Sequence, residues 1–459
     1  MTVRDLSLSQ AALAYGGTLM YPDCQFNRVS TDSRTLSDGD LFVALRGDNF
    51  DAHRFLEQVS DRACGFVVEA PDKQLDLPQW VVPDTTLALG ELAALAREQF
   101  EDPLIAITGS SGKTTVKEMV ASIFSCAMPV LATRGNLNNH IGVPLTLLEL
   151  GPEHRCAVIE MGASAAGEIA YLTRLARPTI AVVTNILAAH IEGFGSLAGV
   201  ASAKQEIYGG LGPSGTAVLN LDEPWAEQWQ LGLACQKTVT FSLTKQAADV
   251  YASDIHLDAQ ACASFTLNIA TAGASEGQFN VQLSVAGRHN VNNALAGAAC
   301  AVAAGMDAAC IIAGLESLVA VTGRMEYRSG LKQCRVIDDS YNANPGSVNA
   351  AIDVLAGLQG PRVLVLGGMA ELGADADKLH REVGEYAKSQ GIEALFATGE
   401  LCAHVVAGFG EGARLFADKN ALLDALLEVM NPAVTVLVKG SRSAGMDQLV
   451  KQITVEEGA

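Results

Sequence analysis

The residues best able to do chemistry stand together at Ile107-Thr108-Gly109-Ser110-Ser111-Gly112-Lys113-Thr114-Thr115. Glycines let backbone N–H groups turn inward around a phosphate, a helix N-terminus adds the positive end of its dipole, Lys113 supplies a cation, and the Thr114 hydroxyl can ligate magnesium. The segment follows the apolar run Leu104-Ile105-Ala106-Ile107, read as a strand. Beyond it, Val116, Met119, Val120, Ile123 and Phe124 fall at i, i+3, i+4, i+7 and i+8 and share one helix face. Strand, glycine loop and helix are therefore in the order a nucleotide-binding loop needs, a context that a chance Gly-Lys-Thr turn lacks. One departure marks the loop as a shortened variant: where the standard pattern has a glycine five residues before Gly112, this chain has Ile107.

Other residues can join that chemistry. Glu160 closes the strand Ala157-Val158-Ile159, and open α/β sheets gather ligand groups at the carboxyl ends of strands. Its carboxylate can hold magnesium or cap the next helix. His190 follows the strand ending at Thr184-Asn185 and reads as a metal ligand, a positioning donor or a structural histidine. Lys204, in Val200-Ala201-Ser202-Ala203-Lys204-Gln205-Glu206, reads by itself as a solvated lysine. Arg324, in Val321-Thr322-Gly323-Arg324-Met325-Glu326, could reach the γ-phosphate when domains close.

Positioning these groups takes several domains, because a chain of 459 residues has a prior of roughly three. Residues 1–83 mix short strands (Leu41 to Leu45, Gly65 to Val68) with turns and read as a small α/β domain. Residues 84–325 open with a helix from Thr86 to Phe100. They continue with buried-type strands at Leu104 to Thr108, Cys156 to Glu160, Thr179 to Thr184 and Thr216 to Asn220, separated by helical stretches, the alternation of a doubly wound sheet. From Val239 to Val285 short alternating strands suggest an appended antiparallel patch, followed by an Ala-rich helix from His289 to Ala304. Residues 326–459 repeat strand and helix through Arg335 to Asp338, Val363 to Leu366, Ala394 to Ala397 and Val434 to Val438, a Rossmann-like pattern.

Composition narrows the function classes. The net charge of −20 argues against nucleic-acid or anionic-membrane binding, which needs basic patches, although acidity also serves solubility. No apolar run approaches the roughly 20 residues of a membrane span. Met1 to Ser7 has polar residues where a signal peptide would be apolar. Ten cysteines, scattered singly from Cys24 to Cys402 without a Cys-x-x-Cys pair, read as thiols of a reducing compartment. A cytoplasmic protein is expected.

Taken in order, the phosphate loop, Glu160-Met161-Gly162, Ala189-His190-Ile191-Glu192-Gly193-Phe194-Gly195, Lys204, Gly287-Arg288-His289-Asn290-Val291-Asn292-Asn293-Ala294 and Gly323-Arg324-Met325-Glu326 resemble the motifs of the Mur ligases over essentially the whole chain. Further marks are Asp339-Ser340-Tyr341-Asn342-Ala343-Asn344-Pro345, Leu366-Gly367-Gly368-Met369-Ala370-Glu371-Leu372-Gly373 and Val438-Lys439-Gly440-Ser441-Arg442. They resemble the branch that joins D-alanyl-D-alanine to UDP-N-acetylmuramoyl-tripeptide in peptidoglycan synthesis.

The resemblance implies an α/β fold of three domains: a small UDP-binding domain, a central ATPase-type domain and a Rossmann-like domain that binds D-alanyl-D-alanine and closes on ATP. It implies ATP held by Gly109, Ser110, Ser111, Gly112, Lys113, Thr114, Thr115, His289, Asn293, Arg324 and Asp339. Two Mg2+ sites are implied, one at Thr114 and Glu160, the other at His190 and a carbamylated Lys204, with Lys113, Glu160, His190, Lys204 and Arg324 in catalysis. Ser33, Arg34, Asp48 and Asn49 would meet the UDP moiety, Asn136, Asn138 and Asn139 the muramoyl peptide, and Arg442 the dipeptide carboxylate, though a solvated arginine reads equally well there. A monomer is implied.

The chemistry so implied is phosphorylation of a carboxylate to an acyl phosphate and attack on it by an amine. A sister ligase adding the third amino acid usually carries an Asp-Asn-Pro-Arg run, which this sequence lacks. A regulatory P-loop NTPase is the alternative from another class; it would hydrolyse ATP without an acceptor.

Overall fold

The computed structural model describes residues 6–233, 237–271, 273 and 275–455. Met1 to Asp5, on which much of the reading against a signal peptide rests, and Cys235 lie outside the described residues.

Three sheets organise the chain. The first has five strands in the order Thr18–Met20, Gln79–Val81, Ala63–Val68, Asp40–Val43, Val29–Ser30, parallel except for the pair Thr18–Met20 with Gln79–Val81. The second has nine, in the order Val130–Ala132, Cys156–Glu160, Leu104–Thr108, Ile180–Val183, Thr216–Asn220, Lys237–Ser242, Val250–Leu257, Cys262–Ile269, Gly277–Ala286. The third has six, in the order Glu326–Ser329, Arg335–Asp339, Thr435–Lys439, Arg362–Gly367, Ala394–Thr398, Ala413–Phe416, with only its first pair antiparallel.

The expected antiparallel patch is the far edge of the nine-stranded sheet. Lys237–Ser242 and Val250–Leu257 extend the parallel order, and antiparallel pairing begins only between Val250–Leu257 and Cys262–Ile269. Continuous backbone pairing leaves no seam at which the patch could part from the sheet.

The sheet's two faces carry different helices. On one face the helix Lys113–Ser125 buries the predicted stripe, with Val116, Met119, Val120 and Ile123 fully buried and Phe124 nearly so. Each such side chain contributes roughly 1.5–3 kcal/mol relative to exposure. Beside it lies Arg288–Ala303, whose alanines and Gly297 let the two helices approach closely, so that a Cβ on Gly297 would stand 3.3 Å from Met119 Cβ. On the other face Thr85–Glu98, capped by the Asp84 carboxylate on the Thr86 and Leu87 amides, buries Leu89, Leu92 and Ala93 in a core shared with Leu41, Val43, Val67 and Trp80 of the first sheet. Leu87, in the first turn of this helix, is half exposed and lines the main cleft. No helix among the described residues is long and apolar enough to cross a membrane.

Candidate active site

The phosphate loop leaves the carboxyl end of Leu104–Thr108 and enters Lys113–Ser125 at Gly112, whose φ of 77° lies in the left-handed region. A Cβ there would stand 2.4 Å from Asn293 Oδ1 and one on Gly109 would stand 1.9 Å from Thr184 Oγ1, so both positions need glycine. The neighbouring strand end pins the loop: Ser110 N donates to Asn185 O at 2.9 Å, Ser111 N to Asn185 Oδ1 at 2.9 Å, and Thr184 Oγ1 to Ser111 O at 2.7 Å. Lys113 Nζ donates to Gly109 O at 2.8 Å, folding over the loop it must charge. Burial pushes this ammonium below its ordinary range; Glu160 opposes the shift and Arg324 adds to it.

Glu160 is almost wholly buried, with Oε2 accepting from Thr114 Oγ1 at 2.8 Å and Oε1 from Asn138 Nδ2 at 2.8 Å. The alternative role as a helix cap does not occur, since the next helix, Glu168–Ala176, begins at Gly167. Thr133 Oγ1 accepts from Glu160 N at 3.0 Å, fixing the strand end from behind.

Lys204 is 2% exposed, which overturns the reading of a solvated lysine. The helix Leu197–Gln205 turns it inward, where Nζ donates to Ala163 O at 3.4 Å and lies 5.4 Å from the centroid of the Phe194 ring. Desolvation first, and then the charge of Lys113, bring its pKa down to about 7. His190 sits in the left-handed region at φ 55° with Nδ1 against the Glu371 carboxylate of the third sheet's loops. Burial depresses its imidazole, the Glu371 charge opposes that, and Lys113 and Lys204 reinforce it.

One cleft of about 1010 Å³ unites the phosphate loop, Glu160 and His190, whereas Lys204 is buried behind its wall and does not line it. It is lined by Ser110 to Thr115, Asn136, Asn138, Asn139, Glu160, His190, His289, Asn293, Arg324 and Asp339. Burial holds the His289 imidazole below its ordinary range. Asn293 Nδ2 donates to Asn290 Oδ1 at 2.8 Å, fixing its amide over Gly112. Asn139 Oδ1 accepts from its own loop amides of Ile141 and Gly142, and Asn138 is tied to Glu160, so of these three asparagines only Asn136 has no side-chain hydrogen bond among the described residues.

Gly109, Lys204, Ser33, Arg34, Asp48, Asn49 and Arg442 do not line the cleft. Arg34 is exposed and paired with Asp32 at 2.7 Å, and the Asp48-Asn49 tip lies between the short strands Arg46–Gly47 and Phe50–Asp51. The sequence reading gave no role to Thr184, Asn185, Thr133, Tyr341, Glu371 and Lys439, although Tyr341, Glu371 and Lys439 stand in its motif segments. Thr184 and Asn185 carry a readable signal, polar residues directly after a buried strand; Lys439, at the end of the apolar run Thr435–Lys439, carries the same one.

A phosphate loop at the carboxyl end of a largely parallel sheet, with a buried carboxylate bonded to its threonine, defines a P-loop nucleotide-binding protein whose cleft is also lined by residues of a further α/β sheet. Residues 107–301 match the family model of the Mur ligase middle domain, and residues 323–442 that of the Mur ligase, glutamate ligase domain. The chain is 45% identical to the UDP-N-acetylmuramoyl-tripeptide--D-alanyl-D-alanine ligase of Escherichia coli strain K12, covering 98% of each chain, and 34% identical to that of Bacillus subtilis strain 168, covering 95% and 96%. It superposes on MurF from Acinetobacter baumannii with a TM-score of 0.92 at 36% identity, covering 98% and 99%. On the Thermotoga maritima MurF ligase in complex with ADP the TM-score is 0.81 at 26% identity, covering 92% and 96%. The chain belongs to the Mur ligase family.

Proposed function

We propose that this chain joins D-alanyl-D-alanine to UDP-N-acetylmuramoyl-tripeptide, with ATP activating the tripeptide's terminal carboxylate. The observation that carries the reading is the single cleft in which Lys113, Thr114, Glu160, His190 and Arg324 converge beside third-sheet residues Asp339 and Lys439. The substrates follow from likeness to the Escherichia coli ligase over 98% of both chains.

Thr114 and Glu160 present hard oxygen donors 2.8 Å apart, suited to an ion that keeps one or two carboxylate ligands and completes its shell with phosphate oxygens. That fits the absence, among the described residues, of any cluster of three or more His, Cys, Asp or Glu able to hold a metal alone. A buried amine with a pKa of about 7 is available in the neutral form that adds carbon dioxide, so Lys204 fits a carbamate that would hold a second Mg2+ with His190. Bound Mg2+ supplies positive charge to the phosphate oxygens.

The chain's own residues do the rest. The amides of the phosphate loop and Lys113 hold the phosphates, His289 and Asn293 face the adenine, and Asp339 the ribose. Arg324 neutralises charge as the substrate carboxylate displaces ADP from the γ-phosphorus, leaving an acyl phosphate. The dipeptide's free amine then attacks the acyl carbon, and phosphate departs. The third sheet's domain, residues 326–459, excludes water by closing over the 84–325 unit; residues 1–83 hold UDP through Ser33, Arg34, Asp48 and Asn49. Asn136, Asn138 and Asn139 line the peptide's path. The protein works as a cytoplasmic monomer.

The test is an assay with both purified substrates and ATP. Phosphate should appear only when tripeptide and dipeptide are both present, carrying one oxygen from the labelled tripeptide carboxylate. Release of unlabelled phosphate from ATP alone would point instead to a simple NTPase.

A further inference from the structure

Two arginines in this region are held without a carboxylate. The Arg324 guanidinium carbon lies 4.1 Å from the centroid of the Tyr341 ring, and that of Arg442 lies 5.2 Å from the same centroid. Among the described residues neither guanidinium has an ion pair or a hydrogen bond, in a chain with 51 acidic side chains against 31 Lys and Arg. Arg28, Arg46 and Arg362, by contrast, each rest on a carboxylate.

The difference is chemical. A carboxylate occupies the N–H fork of a guanidinium and cancels its charge. An aromatic ring attracts the cation through its quadrupole and leaves the N–H edge and the charge free for another anion. The backbone ties the same parts together. Tyr341 N donates to Gly323 O at 3.1 Å, and Arg442 N to Asn342 Oδ1 at 3.3 Å, so the segment before Arg324 and the turn Arg442–Ala444 both dock on residues 341–342. Tyr341 and Arg324 line the cleft; Arg442 does not, but reaches the ring that does.

We propose that Tyr341 is a positioning residue whose ring carries two free guanidiniums, aiming Arg324 at the transferring phosphoryl group and Arg442 at the carboxylate of the incoming dipeptide. The assignment rests on the ligase reading above. The ring lets two like charges stand together, and each loses its hydration only when its anion arrives. Since one ring holds both, the seating of the dipeptide's arginine and the reach of the phosphoryl arginine are coupled. No hydrogen bond of the Tyr341 hydroxyl occurs among the described residues, so the face of the ring is the working part.

The experiment replaces Tyr341 by Phe and Leu, and separately by phenylalanines with one, two, three and five ring fluorines, which keep the shape while draining the quadrupole. Tyr341→Phe should hold kcat and both KM values within about twofold. Tyr341→Leu should lose about tenfold in kcat/KM for D-alanyl-D-alanine, and the loss should grow step by step with fluorination. Equal activity of the Leu and Phe variants, a flat fluorination series, or a Phe variant as impaired as Leu would each overturn the proposal. If Tyr341→Leu fails to fold, the near-isosteric fluorinated series decides alone. Absence of ligation by the unaltered protein would sink the ligase reading itself, a result separate from any comparison among ring variants.

Discussion

Lys439 and Asp339 form an ion pair of 2.5 Å with both side chains almost wholly buried at the end of the third sheet. The other Asp339 oxygen accepts the Met325 amide at 3.2 Å, and Lys439 also donates to Asn342 O at 2.9 Å. Met325 has a φ of 52°, a left-handed conformation that costs a non-glycine residue energy and persists because neighbours hold it. The carboxylate proposed to meet the ribose is thus oriented from both sides of the connection between the second and third sheets.

Lys439→Met should therefore destabilise the protein by about 3–5 kcal/mol, since it leaves a buried carboxylate unpaired. Adding Asp339→Asn should recover part of that loss in urea unfolding. A Lys439→Met variant as stable as the parent would show that the pair holds nothing.

Glu160→Gln keeps the size of the side chain but removes the charge opposite Thr114. Turnover should drop at least about a hundredfold and the Mg2+ concentration for half-maximal ATP binding should rise, while binding of ATP without Mg2+ should hardly change. Calorimetry with and without Mg2+ separates the two; an unshifted Mg2+ requirement would remove Glu160 from the metal's shell.

Lys204→Ala should nearly abolish ligation, and a short-chain carboxylate added to the assay should restore part of it by standing in for the carbamate. Full turnover in this variant would take Lys204 out of the site. A dead variant that no carboxylate rescues would argue against the carbamate.

Glu223 offers a stability test away from the reaction. Burial raises its pKa from 4.5 to about 7, against the Ile186 amide and with help from Asp222. Between those values the folded protein binds a proton that the unfolded chain has released. The group's contribution is therefore complete below about pH 4.5 and is lost as pH rises through about 7. Glu223→Gln, neutral throughout, should gain on the parent across that window by on the order of 2–3 kcal/mol. Melting curves whose separation does not change from pH 5 to pH 8 would contradict this.

Much of the nucleotide site is legible in the chain because it is local. Glycine loop, apolar strand and helix stripe lie within 22 consecutive residues from Leu104 to Ser125, and their periodicities follow from backbone geometry alone. The strands Cys156–Glu160 and Thr216–Asn220 form where their uninterrupted apolar runs predict, as strands buried on both faces must. Boundaries drift by a residue where a cap decides them, as at Asp84, whose carboxylate starts the helix at Thr85 rather than Thr86.

By itself, then, the sequence determined the phosphate loop, the alternation of strand and helix, and through its motifs the Mur ligase family. Only the tertiary structure decided that Lys204 is buried near neutrality, that Asn138 serves Glu160, and that Tyr341 carries two arginines. Desolvation and charge pairing depend on what stands opposite a side chain, and those partners can lie about a hundred residues away along the chain, as Arg442 does from Tyr341.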